Sequence, residues 1–236
     1  MEHIPGKIFL SEQRGVLESP SGKSVMTFNA GSYYNEHKHP FSSLVLFNDE
    51  VLSGGKQLPL ILTSPSHLII LPVTGDLYFD GLWGDAGEVN VGEVKINSGL
   101  PEKEFLVTNP YPSDEVSFFQ IRILDESIPE NVSWPSLSFD LAASRNRLIE
   151  IPVGVQEGQQ NTFRLSIGQF DGRAEAFYSL FASKNEVFLF VISGAFEVEG
   201  RLLHPRDGLA LWNTKSIEIE ALSNHATLLI LELLKT

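Results

Sequence analysis

Apolar residues along this chain recur in short runs with the two-residue period of β-strands, and no stretch sustains the period of a long helix. Runs rich in Val, Ile, Leu and Phe at 43–48, 67–73, 116–123, 188–192 and 227–233 are bounded by clusters of Gly, Pro, Asn, Asp and Ser, so they read as strands closed by turns. One short helix is expected over 141–147, where Ala and Arg follow Asp140 as a cap. Many short, evenly spaced strands with glycine turns predict an all-β protein, a sandwich or a barrel.

A repeat divides the pattern in two. V-T-G-D-L-Y-F-D-G at 73–81 is echoed by I-S-G-A-F-E-V-E-G at 192–200, an offset that carries Gly75 to Gly194. Each copy is a strand, a turn glycine and a second strand. V-G-E-V-K-I at 91–96 is answered in the same way by R-D-G-L-A-L at 206–211. Two copies of one barrel are the economical reading, with domains at 1–145 and 146–236. The segment 125–147, containing Pro129, Trp134 and Pro135, has the composition of a connection between them.

The 236 residues, 42% of them hydrophobic, suffice for two buried cores. Seventeen Lys and Arg against thirty Asp and Glu leave a formal charge of −13, which repels phosphate backbones and anionic membranes. Without cysteine there is no disulfide, thiolate nucleophile or Cys-type metal site. The segment M-E-H-I-P-G-K-I-F-L at 1–10 has no apolar stretch of signal-peptide length, and the run at 228–234 is too short to span a bilayer, so a cytoplasmic protein is expected. Phosphate-binding glycine loops and the G-x-S-x-G elbow are absent.

Several segments, in order, resemble the pirin family of bicupins, which includes quercetin dioxygenases. They are T-F-N-A-G-S-Y-Y at 27–34, F-S-S-L-V-L-F-N-D-E-V-L at 41–52, the Gly75 turn, V-G-E at 91–93, N-P at 109–110, F-Q-I at 119–121 and D-G-L-A-L-W at 207–212. The resemblance implies two jelly-roll barrels face to face, with any metal in the N-terminal one. It also implies a first cupin motif from Gly55 to Gly75, where a glycine is followed after five residues by His-x-His, an acidic residue and a closing glycine. Family metal sites are typically iron held by three histidines and a glutamate. Carried across without gaps, the four ligand positions fall on Ile61, Thr63, Phe105 and Val107, and the acidic position on His67. Ile61 and Thr63, two apart on a strand, are expected to point into the barrel together. Three aliphatic or aromatic side chains offer no lone pair, and one neutral hydroxyl cannot hold a divalent ion alone. No metal, cofactor or catalytic residue is therefore expected.

Each of these positions also has a plain structural reading. Ile61, Phe105 and Val107 fill the space a metal would occupy, or else line a pocket with Thr63 and His67. His67 reads as a hydrogen-bonded core or rim histidine, since spacing identifies no carboxylate partner. In the second copy the constant offset points to Leu180, Ala182 and Glu186, which form no site. Glu36-His37-Lys38-His39 has permissive metal-ligand spacing, but the resemblance places it in a surface loop; His3, His204 and His225 form no pattern. The expectation is a pirin-like bicupin without its metal ligands, acting as a non-redox binding or regulatory protein on a protein partner or a small ligand. Members of the family that contact transcription regulators and metabolic enzymes suggest the former. The alternative is a quercetin 2,3-dioxygenase-like enzyme using displaced ligands such as His67 with His37 or His39.

Overall fold

The computed structural model describes residues 4–81, 86–128, 132–153 and 161–235. Within them the regular structure is β apart from one 3-10 turn at Ser11–Gln13. The strands are β1 (Gly6–Phe9), β2 (Gly15–Ser19), β3 (Gly22–Met26), β4 (Leu44–Leu52), β5 (Gln57–Ile61), β6 (Ser66–Thr74), β7 (Leu77–Asp80), β8 (Ala86–Val89), β9 (Glu93–Gly99), β10 (Glu104–Thr108), β11 (Val116–Leu124), β12 (Val132–Ser133) and β13 (Leu137–Ser138). They continue with β14 (Arg147–Ile151), β15 (Phe163–Phe170), β16 (Glu175–Ser179), β17 (Glu186–Ser193), β18 (Phe196–Val198), β19 (Arg201–Leu203), β20 (Gly208–Leu211), β21 (Ser216–Ala221) and β22 (Ala226–Leu233). The five apolar runs read from the sequence lie in β4, β6, β11, β17 and β22.

The helix expected over 141–147 does not form. Asp140 Oδ1 accepts a hydrogen bond from Ala143 N at 2.9 Å, as a cap would, but Asn146 turns to φ 61° and the chain enters β14. One turn with Ser144 and Asn146 in it cannot repay the cost of helix nucleation.

The chain divides into two compact units, Arg14–Ser138 and Met1–Gln13 with Phe139–Thr236. This differs from the division expected at 145 in two ways. β1 pairs with β20, from Gly6 opposite Leu211 to Phe9 opposite Gly208, and Ser11 N donates to Asp207 Oδ1 at 2.7 Å, so the first residues belong to the C-terminal unit. Part of the expected connection is also sheet: the short strands β12 and β13 pair with β9, and Lys95 Nζ donates to Trp134 O at 2.6 Å. Pro129 lies outside the described residues.

Each unit contains one large and one small antiparallel sheet, and the strand orders correspond. In Arg14–Ser138 the orders are β12-β9-β6-β11-β4-β3-β2 and β5-β10-β7-β8; in the other unit they are β1-β20-β17-β22-β15-β14 and β16-β21-β18-β19. The first core gathers Leu60, Leu62, Leu68, Phe79, Phe105 and Phe118, and the second Phe170, Leu189, Phe196, Ile217, Leu228 and Ile230. The repeated glycines have the same conformation, since Gly75 and Gly194 both lie at φ 73° between equivalent strands. A Cβ on Gly194 would approach Ala226 Cα to 2.7 Å and Ser223 Oγ to 2.6 Å. Gly194→Ala is therefore expected to lower unfolding stability by about 1–2 kcal/mol, measured by urea titration.

Candidate functional site

The strand β5 sets the geometry of the first-motif positions. Leu60 and Leu62 are buried in the barrel core with Leu58 packed against them, whereas Ile61 is 53% exposed and Thr63 is exposed. The expectation that Ile61 and Thr63 point inward is therefore corrected by one residue of strand parity. Three leucines spaced by two have more apolar area to bury than Ile61 and Thr63, and that difference sets which face turns inward. Phe105 and Val107 on β10 are buried among these leucines, with the Phe105 ring 5.6 Å from that of Phe79.

His67 lies on neither surface. On β6 it alternates with the core residues Leu68 and Ile70, so it faces the other side of the sheet. Its Nε2 donates to Asp125 Oδ2 at 2.9 Å, and Nδ1 lies 2.7 Å from Ser98 Oγ. Asp125 Oδ1 accepts from Ser127 N at 2.9 Å and from Ser127 Oγ at 2.5 Å. Burial pushes the Asp125 carboxyl up, but the hydrogen bonds from His67 and Ser127 outweigh it and hold the group well below the usual carboxylate range. The five positions expected to line one pocket thus separate into an exposed pair, a buried pair and a histidine clamped on the opposite face.

Arg122 occupies the barrel side of β11, the face it shares with Phe118 and Gln120. Its guanidinium NH1 donates to Ile61 O at 3.2 Å and approaches Thr63 Oγ1 at 3.4 Å, while Nε is buried without a partner among the described residues. Burial lowers the Arg122 pKa.

Strand register identifies the counterpart of each group in the second unit. Ser117 pairs with Thr74 beside a bulge, and Thr227 pairs with Ser193 beside the same bulge. From that common origin Arg122 corresponds to Glu232, His67 to Glu186 and Asp125 to Lys235. The His67–Asp125 contact recurs as a Lys235 Nζ to Glu186 Oε1 ion pair of 2.6 Å, with the charges exchanged. In place of Arg122 stands Glu232, fully buried, whose Oε2 accepts from Tyr178 Oη at 2.8 Å and from Arg164 NH1 at 3.2 Å. Its Oε1 accepts from Asn185 Nδ2 at 2.6 Å and from Phe181 N at 2.8 Å. Arg164 in turn grips Glu150 with Nε and NH2, at 2.8 and 2.7 Å. Both residues tie the chain after the fifth barrel strand, Arg122 at Thr63 and Glu232 at Phe181.

The core-facing set Ala176, Tyr178 and Leu180, of which Tyr178 is buried and the other two partly so, matches Leu58, Leu60 and Leu62. The counterparts of Ile61 and Thr63 are accordingly Ser179 and Phe181; the expected Leu180 and Ala182 are each one residue out, because the path from Leu180 to Glu186 has one residue more than the equivalent path from Leu62 to His67. In the loop at 36–39 the side chains of Glu36, His37 and His39 are exposed on either side of buried Lys38, and among the described residues no three His, Asp or Glu gather where they could hold a metal ion. His204 and His225 are exposed, and His3 lies outside the described residues. Arg122, Asp125 and Glu232 escaped the sequence reading. Their one sequence signal is a lone charge in or next to an apolar strand, as in T-L-L-I-L-E-L at 227–233.

The geometry agrees with comparisons to known proteins. Residues 159–233 match the quercetinase C-terminal cupin domain. The chain is 23% identical over 212 residues to the quercetin 2,3-dioxygenase of Escherichia coli K12, covering 86% of this chain and 88% of that protein. It superimposes on the crystal structure of the bacterial pirin YhhW from Escherichia coli in complex with nickel(II) with a TM-score of 0.83 at 20% identity, covering 98% of this chain and all of that one. Escherichia coli YhaK gives a TM-score of 0.71 at 18% identity, with 94% of each chain covered. With both halves of the fold matched and a quercetinase C-terminal cupin domain detected over residues 159–233, the chain has the two-barrel bicupin fold of the bacterial pirins it is similar to.

Proposed function

We propose that this protein is a pirin-like bicupin that has lost its metal ligands and acts without redox catalysis, as a binding or regulatory protein. The observation that carries the reading is the Arg122 guanidinium, bonded at the end of the strand where the family motif supplies its first two ligands. Thr63, the one potential oxygen donor among Ile61, Thr63, Phe105 and Val107, lies in contact with that fixed positive charge. A cation so placed repels a divalent ion, and the other three side chains have no lone pair to offer. The residues present do not fit the family metal.

The named activities and the bound nickel belong to the relatives. A dioxygenase built here from displaced ligands needs His67 together with His37 or His39, and His67 is engaged by Asp125 and Ser98 while the loop histidines are exposed. A pocket of Ile61, Thr63, His67, Phe105 and Val107 has no common lining to offer a small ligand. Binding through an outer surface is the role left with support.

Protein purified without a histidine tag and incubated with ferrous iron, manganese, cobalt or nickel is expected to retain less than about a tenth of an equivalent of metal by plasma mass spectrometry. It is also expected to consume no oxygen with quercetin. Near-stoichiometric metal, or metal-dependent oxygen uptake, would overturn the reading.

A further inference from the structure

The small sheet of the C-terminal unit carries a charge arrangement that its fold does not require. On its outer face the register aligns Glu175, Glu220, Glu197 and Leu202 in one row across β16, β21, β18 and β19. In the next row Phe177 lies opposite Glu218. Like charges directly opposite each other in a sheet destabilise it. Arg173 relieves Glu220 at 2.8 Å, and Glu199 Oε1 accepts from Glu218 N at 2.6 Å, but among the described residues Glu175, Glu197 and Glu218 have no ion-pair partner. Phe177 is 66% exposed between them and Leu202 52%. A depression of about 150 Å³ lies over this face, lined by Glu175, Phe177, Glu197, Glu199, Glu218 and Glu220.

The equivalent row of the other unit reads Gln57, Thr108, Tyr78 and Glu88, with a single acid. The barrel therefore folds without the acidic row. The carboxylates are spread over three strands, and no three of them gather at metal-binding distance. A bound metal ion is thus a poor match. Along β16 an acid and an aromatic alternate at two-residue spacing, Glu175 then Phe177, which is the spacing on one side of an extended peptide.

We propose that this face docks an extended segment of a protein partner in which lysine or arginine alternates with apolar residues. The cations would answer Glu175, Glu197 and Glu218, and the apolar side chains would cover Phe177 and Leu202. The inference rests on the binding role proposed above and supplies the chemistry of the partner.

The probe is a short fluorescein-labelled peptide of alternating lysine and valine, followed by fluorescence anisotropy at low and at physiological salt. The wild-type protein is expected to bind it with an affinity that falls as salt rises. Glu175→Gln/Glu197→Gln/Glu218→Gln is expected to weaken binding about tenfold or more, and Phe177→Ser to weaken it at constant charge. A control, Glu12→Gln/Glu115→Gln/Glu126→Gln, removes the same net charge from exposed glutamates elsewhere and is expected to change affinity by less than about threefold. Because the face glutamates are exposed and mutually repulsive, their neutralisation leaves the fold intact, which far-ultraviolet circular dichroism checks. Equal weakening by both triple variants, or no binding by wild type, would overturn the docking surface while leaving the metal result untouched. Bound metal would overturn the non-redox reading while leaving the peptide result standing.

Discussion

Replacing Glu232 by alanine is expected to cost the C-terminal unit about 3–5 kcal/mol, the largest single effect anticipated in this protein. The carboxylate is fully buried and accepts four hydrogen bonds, from Tyr178, Arg164, Asn185 and the backbone of Phe181. Removing it strands a buried phenol and a buried amide away from water, takes the acceptor from the Phe181 N–H, and leaves a hole in the barrel end. It also deprives Arg164 of one of its two carboxylates. Glu232→Gln keeps the shape but turns one acceptor into a donor facing other donors, so an intermediate loss of about 1–3 kcal/mol is expected. Urea titration and calorimetry measure both. A loss for Glu232→Ala below about 1 kcal/mol would mean that water replaces the acceptor, and that the network does not hold the chain between β16 and β17.

The strands were legible because burial imposes a period of two, and the repeat was legible because both units need a left-handed turn where Gly75 and Gly194 stand. Site geometry was harder to read. Motif spacing without gaps put Ile61 and Thr63 inside, although the alternation Leu58, Leu60, Leu62 in the same six residues points the other way, and the packed core followed the leucines. A one-residue change in loop length likewise shifted the counterparts in the second unit. The helix at 141–147 failed because so short a segment has no apolar face to bury. The clamps were out of reach for a different reason: His67 and Asp125 are 58 residues apart, and Glu232 and Asn185 are 47 apart, so only register brings them together. What the sequence did offer at these places was a charged residue in or beside an apolar strand. Such a residue needs a partner, but its partner cannot be identified from spacing.

Asp125→Asn is expected to lower stability at neutral pH by about 2–3 kcal/mol and to flatten the acid limb of the stability profile. The sign follows from the direction of the shift. The Asp125 carboxyl is held below its unfolded value, so the folded state favours the charged form. That contribution is complete above the unfolded carboxylate pKa of about 4 and is lost as pH falls below it towards the folded value. Asparagine keeps the size and an oxygen for Ser127, but it has no charge to lose, so the wild-type and variant curves should converge between about pH 4 and pH 2. Urea titrations across that range read the difference directly. Parallel curves would show that Asp125 is not held in its charged form by folding. The second unit explains why the clamp is structural: at the same place it uses Lys235 and Glu186, with donor and acceptor exchanged between strands. Two unrelated pairs at one position argue that the fold needs an attachment there rather than an imidazole. His67 is therefore one solution to a packing problem that the other copy solves with a lysine and a glutamate, and its hydrogen bonds to Asp125 and Ser98 are accounted for without a reaction.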